Sequence, residues 1–175
     1  MTKAIKTEAV IFKKRSLLNK DYLVTIFSET EGKINVFAKG AKKITSRRLS
    51  HLETGNLIKA ILNKKDERFY LHDSLLISGF SKIKNSRQKS NFLYLFLFIL
   101  EKLMAEGQKD FSVYNLLKRF LIELSKNDKF NELWFYQYLN KLMRDLGYSK
   151  DNKSPNDLRF LIEEIINEKL PSNII

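Results

Sequence analysis

The chain has 175 residues, 32 Lys+Arg against 20 Asp+Glu, a formal net charge of +12 and 43% hydrophobic residues, which is enough to build one large domain or two small ones around a real core. It has no cysteine and only two histidines, His51 and His72, which excludes disulfides, thiolate zinc sites, iron–sulfur clusters and a cysteine nucleophile. The longest apolar run, residues 92–100, falls short of the about twenty residues that span a bilayer, and the first fifteen residues lack the apolar stretch of a signal peptide, so a cytoplasmic protein with no membrane partner is expected.

Residues 7–13 place Ala9, Val10, Ile11 and Phe12 between charged flanks and predict a first strand. Residues 22–28 (Y-L-V-T-I-F-S) are β-branched and aromatic, as strands are, and residues 29–33 form a polar turn in which Gly32 can take positive φ. Residues 34–38 set Ile34, Val36 and Ala38 against Asn35 and Phe37, the period of a strand with two distinct faces. Residues 56–62 and 68–76 read as two further strands around a turn at 63–67. Five strands of similar length in about eighty residues suggest a small antiparallel barrel, with an open meander on helices as the competing picture.

Between the third and fourth strands lies K-G-A-K-K-I-T-S-R-R, residues 39–48, with Lys39, Lys42, Lys43, Arg47 and Arg48 and no acidic residue. Uncompensated cations repel one another, and an anionic partner removes that cost. Arginine forks, the hydroxyls of Thr45 and Ser46 and the backbone freedom of Gly40 suit phosphate oxygens. The glycine-to-lysine spacing of a P-loop is absent, so nucleotide hydrolysis is not indicated.

From residue 85 the pattern turns helical. Residues 91–104 are apolar nearly all round and predict a buried central helix. Residues 110–125 place Tyr114, Leu117, Leu121 and Leu124 on one stripe, with Asp110 or Ser112 as a cap. Residues 131–146 repeat the period with Phe135, Tyr138, Leu139, Leu142 and Leu146, stopped by Gly147. Ser154 and Pro155 open a last helix that carries Leu158, Leu161, Ile162, Ile165 and Ile166 and ends before Pro171. Aromatic residues at helical spacing, Trp134, Phe135, Tyr136 and Tyr138 among them, are expected in the core rather than on a base-stacking surface.

Charge and aromatic content divide the chain in opposite senses. Residues 1–90 hold 20 Lys+Arg against 8 Asp+Glu, and residues 91–175 hold 12 of each. Seven aromatic residues fall in the first stretch and fourteen in the second. Codon bias toward lysine would raise both halves alike, so the asymmetry points to a polyanion facing the N-terminal half, nucleic acid before a membrane surface. No nucleophile elbow, zinc-helix motif or carboxylate cluster marks a catalytic site, and His51 and His72 read as ordinary polar residues. The chain is therefore expected not to be an enzyme and to need no cofactor and no small-molecule substrate. With no cysteine and two histidines, it is expected to hold no structural zinc.

Residues 8–53 resemble the N-terminal domain of the RecO family of bacterial recombination mediators. The resemblance is carried by D-Y-L-V-T-I-F-S (residues 21–28), the turn Glu31-Gly32-Lys33, and A-K-G-A-K-K followed by Ser46-Arg47 and Leu52. It extends over about the first eighty residues and is general beyond them. It implies a mixed α+β protein, with a five-stranded OB-fold DNA-binding domain in residues 1–82 and an α-helical domain in residues 83–175. It also implies a role in recombinational DNA repair: binding single- and double-stranded DNA, annealing single strands, and acting with RecR to load RecA on strands coated by single-strand-binding protein. The location so implied is cytoplasmic and associated with the nucleoid. The four-cysteine zinc module of many members has no counterpart here, and the helical part is short for the family, which puts in doubt the groove for the single-strand-binding protein tail.

An OB barrel holds nucleic acid along a groove lined by its second and third strands and flanking loops, with cations on the backbone and aromatics on the bases. Lys39, Lys42, Lys43, Arg47 and Arg48 are the first candidates for phosphate contacts, and Lys13, Lys14, Arg15 and Lys33 the second group. Phe37 is the strand aromatic closest in sequence to the basic loop, poised between core and stacking. Two other functions fit the same charge. One is a basic OB-fold interaction adaptor that receives an acidic protein tail rather than DNA; the other is a hydrolase whose site leaves no sequence motif.

Overall fold

The computed structural model describes residues 4–18, 20–43, 46 and 48–171. Two compact units emerge: one runs to Gly79 and takes in Ala105–Asp110, and the other comprises Phe80–Met104 and continues from Phe111.

The first unit is a closed five-stranded barrel with the OB-fold order β1-β2-β3-β5-β4. Its strands are β1 (Ala4–Ser16), β2 (Tyr22–Ser28), β3 (Gly32–Ala38), β4 (Leu57–Lys65) and β5 (Arg68–Ser78). The sequence pattern suggests an antiparallel barrel, and this is corrected at one seam: β3 and β5 pair in parallel, Val36 beside Phe69 and Phe37 beside Tyr70. The reason is parity. Strand directions cannot alternate all the way around a closed ring of five, so one neighbouring pair must run the same way. A short helix that the sequence pattern does not predict, α1 (Arg48–His51), lies between β3 and β4.

Alternation decides the inside of the barrel. Ala9, Ile11, Val24, Ile26, Ile34, Val36, Ile58, Ala60, Leu62 and Leu71 form an aliphatic core, and the strand neighbours of Val36, Asn35 and Phe37, turn the other way. β1 outruns its apolar stretch because a bulge at Phe12 shifts its register. Beyond the bulge Lys13, Lys14 and Arg15 pair with Thr25, Val24 and Leu23 of β2. The turn expected at 63–67 tightens to Asp66 and Glu67, both at positive φ (49° and 59°), between the paired Lys65 and Arg68.

Gly32 has φ +71°, and a Cβ on it would stand 2.0 Å from the carbonyl oxygen of Gln108. Residues 105–110 are strapped onto this corner. The Gly107 amide donates to Lys33 O at 2.7 Å, Asn35 Nδ2 donates to Glu106 Oε1 at 3.2 Å, and Lys109 meets Glu31 at 3.3 Å.

The second unit contains α2 (Ser81–Lys84), α3 (Arg87–Leu103), α4 (Phe111–Lys126), α5 (Glu132–Asp145) and α6 (Pro155–Ile166). α3 is central and packs on α2, α4 and α6. It begins four residues earlier than its apolar run because Ser86 caps it, its hydroxyl accepting from the Lys89 amide. Asn131 caps α5 and Ser154 caps α6 in the same manner, with Pro155 in the first turn. The core is aromatic: Phe96 stacks on Phe120 at 4.2 Å between centroids, and Phe92 stacks on Phe135 at 5.0 Å. Of the four aromatics expected inside α5, Phe135 is fully buried, Tyr136 and Tyr138 are half-buried, and Trp134 is 40% exposed because it falls off the buried stripe. Among the described residues no helix is long and apolar enough to cross a membrane.

Candidate nucleic-acid interface

The basic loop is not a free-standing turn. After β3 the chain turns at Gly40 (φ +65°), whose amide donates to Asp21 Oδ1 at 2.7 Å. The Lys42 amide donates to Lys20 O at 3.1 Å, and Lys42 Nζ donates to Leu17 O at 2.5 Å. Ala41 is fully buried. Residues 39–43 are thereby stitched to the linker between β1 and β2, which gathers cations from two distant stretches at one end of the barrel.

Around Tyr22 this gathering is tight. Lys14 Nζ and Lys42 Nζ each lie 5.4 Å from the ring centroid. Lys13, Lys14, Arg15, Lys39 and Lys43 are exposed, and Lys42 is half-buried. Arg48 ties the loop to β5, because its Nη2 donates to Lys39 O at 3.1 Å while Nη1 reaches Leu71 O and His72 O at 3.4 Å each. Lys33 lies half-buried where residues 105–110 cross β3, its carbonyl taken by Gly107. Ser46 Oγ is buried, so this hydroxyl is not presented to a phosphate. Arg47 and Thr45 lie outside the described residues. His51 pairs its Nδ1 with Ser74 Oγ at 3.0 Å, an ordinary polar contact on β5.

Phe37 has company that its sequence neighbourhood does not reveal. The parallel seam sets Tyr70 beside it, the two rings stacked at 5.5 Å with 29° between their planes, and Lys39 Nζ stands 5.0 Å from the Tyr70 centroid. Proximity in sequence singles out Phe37 alone, yet Tyr22 and Tyr70 are the rings that the loop lysines cover. Lys65 and Arg68, exposed at the β4–β5 turn, escape a reading by local charge, because Asp66 and Glu67 between them balance it.

A larger cleft of about 520 Å³ spans β1, β4 and β5. Lys6 and Lys59 line it together with Glu8, Glu29 and Asp73, a mixture of signs that offers a polyanion nothing. In the second unit a groove of about 230 Å³ runs along α4 and α5 between Trp134, Arg119 and Lys141. At its edge burial, and then a hydrogen bond with Glu123, push the Tyr138 hydroxyl above the ordinary phenol range.

Comparison with known proteins gives consistent matches. Residues 1–80 fit the family described as "Recombination protein O N terminal". "DNA repair protein RecO" of Caldanaerobacter subterraneus is 24% identical over 144 residues, 82% of this chain and 58% of the relative. The proteins of the same name from Acetivibrio thermocellus and Wolbachia pipientis are each 26% identical, over 83% of this chain and 58% and 60% of theirs. The chain thus spans about three-fifths of the length of the curated relatives it matches.

Proposed function

We propose that this chain is a RecO-type protein, which the match of residues 1–80 and the 24–26% identical relatives support, and that it is a DNA-binding mediator of recombinational DNA repair whose phosphate contacts lie at the stitched end of the barrel. In this reading it binds and anneals single strands, helps RecR load RecA, and meets single-strand-binding protein at the nucleoid, acting by binding rather than by catalysis. The barrel, expected as residues 1–82, is the DNA-binding part.

One observation carries the reading: residues 39–43 are hydrogen-bonded to the β1–β2 linker, which brings Lys39 and Lys43 to the same end as Lys14 and Lys42 around Tyr22. The acidic residue of that linker, Asp21, accepts the Gly40 amide through Oδ1 and so helps to fix the turn of the loop. Lys42 and Arg48 hold the loop in place, and Lys13, Lys14, Arg15, Lys39 and Lys43 present charge outward.

Phosphate neutralisation releases counterions, so log K falls with log salt by about 0.7 per contact on single strands. Replacing Lys13, Lys14 and Lys43 together by Gln should flatten that slope by about 2 and weaken all sequences alike. The control, Lys126, Lys129 and Lys150 to Gln, removes the same charge from exposed positions of the helical unit and should leave the slope nearly unchanged. Equal effects of the two triples would show that net charge, rather than this end of the barrel, sets the affinity.

A further inference from the structure

The pairing registers draw a row across the outside of the barrel: Arg15 on β1 pairs with Leu23 on β2, Leu23 with Phe37 on β3, and Phe37 with Tyr70 on β5. Neighbours in this row are separated by one strand spacing, so the row extends over about 14 Å. The strand neighbours Val24, Val36 and Leu71 belong to the barrel core, so the row's own side chains face outward. Phe37 and Tyr70 are half-buried, stacked on one another rather than packed into the core, and Lys39 closes over Tyr70. Arg15 ends the row on the other side and is exposed.

A pair of near-parallel rings between two cations is complementary to a chain that alternates flat π-faces with phosphates. Bases inside a duplex are already stacked and do not offer those faces; bases of a single strand do. An acidic peptide would satisfy Lys39 and Arg15, but an unpaired strand also brings a flat π-face with every phosphate. Resting on the DNA-binding reading above, we propose that Phe37 and Tyr70 form a stacking platform for unpaired nucleobases, with Lys39 and Arg15 on the flanking phosphates, and that this platform makes the barrel prefer single-stranded to duplex DNA.

The test uses the full chain and fluorescence anisotropy with a thymidine oligonucleotide, a duplex of equal length and an abasic strand. Phe37→Leu and Tyr70→Leu, which keep apolar bulk and remove the ring, should each weaken single-strand binding about 5- to 100-fold. Duplex binding should change less than about twofold, and the salt slope should stay the same, because stacking releases no counterions. Tyr70→Phe should retain single-strand affinity, which controls for misfolding of the Leu variants. The abasic strand should bind the unaltered protein about as weakly as the thymidine strand binds the Leu variants. Equal losses on single strand and duplex, or abasic binding as tight as thymidine binding, would overturn the platform while leaving DNA binding intact. Failure of the unaltered protein to bind any of the three probes would instead overturn the DNA-binding reading on which the platform rests.

Discussion

In the barrel unit lysines stand over the aromatic rings: Lys14 and Lys42 over Tyr22, Lys39 over Tyr70, Lys64 over Phe69. In the helical unit rings stand against rings, Phe120 meeting Phe96, Phe130, Phe135 and Tyr138 within 6.2 Å. The barrel closes its core with small aliphatic side chains from five strands, so large rings are left for its outer face and its end. The helices are held farther apart than strands, and bulky rings fill the space between them. The same residue types thus make the core of one unit and lie outside the core of the other, where Phe12 and Phe27 are buried against one another and Phe37 and Tyr70 stack half-buried.

Charge tells a related story. Divided at residue 90 the excess is +12 against zero, but divided by unit the barrel side holds 17 Lys+Arg and 10 Asp+Glu and the helical side 15 and 10. The difference arises because Lys82, Lys84, Arg87 and Lys89 precede residue 90 yet belong to α2 and α3, and because Glu106, Lys109 and Asp110 follow it yet belong to the barrel unit. Net charge alone therefore does not separate the units. Placement differs: the barrel gathers Lys14, Lys39 and Lys42 at one end beside Tyr22 and Tyr70, whereas in the helical unit Lys89 pairs with Asp128, and Lys102, 5.4 Å from the Phe98 centroid, pairs with Glu168.

Three substitutions probe this division, beginning with the largest effect. Phe120→Ala removes the ring at the centre of the aromatic core and should cost about 4 kcal/mol, read by denaturant unfolding. Hydrogen exchange should show protection lost first in α3–α5 while β1–β5 keep theirs; simultaneous loss in both units would break the picture of two separate cores. Gly32→Ala strikes the barrel through backbone rather than core. The left-handed φ and a Cβ 2.0 Å from Gln108 O should together cost about 2–3 kcal/mol. Exchange at the Gly107 amide, which donates to Lys33 O, should rise markedly; an unchanged Gly107 amide would show that residues 105–110 do not depend on this corner. The smallest effect is a gain: Glu67→Gly relieves a positive φ of 59° in the two-residue turn and should raise barrel stability by about 0.5 kcal/mol. The exposed Lys64–Glu67 pair lost with it contributes little. No gain, or a loss, would mean that this pair and not the backbone holds the turn.

Much of the architecture is legible in the residues. β2 coincides with its predicted span because five of the seven residues of Y-L-V-T-I-F-S are β-branched or aromatic, and β3 shows the alternation of Ile34, Val36 and Ala38. α4, α5 and α6 appear where apolar spacing puts them, α6 opened by Ser154 and Pro155 as predicted, whereas the Ser86 cap moves the start of α3 and the short α1 and α2 have no apolar pattern to announce them. At the candidate interface the cations are legible as residue types, but their division into anchors and presented charge is not. Lys42, Lys43 and Arg48 are cations of one run in sequence, and the fold sets Lys42 and Arg48 apart by the carbonyls they find, Leu17 for one and Lys39, Leu71 and His72 for the other.

By itself the sequence determined what local physics controls: which stretches become strand or helix, that no cysteine chemistry exists, and that a strongly basic loop follows β3. Period, propensity and composition are properties of contiguous residues, so they can be read before any fold is known. The tertiary structure alone decided the parallel seam of β3 with β5, the pairing of Phe37 with Tyr70 thirty-three positions away, the strap of residues 105–110 on Gly32, and the unit to which Lys82–Lys89 belong. Each of these depends on ring closure or on contacts between residues far apart in the chain, and no local pattern encodes a partner's distance.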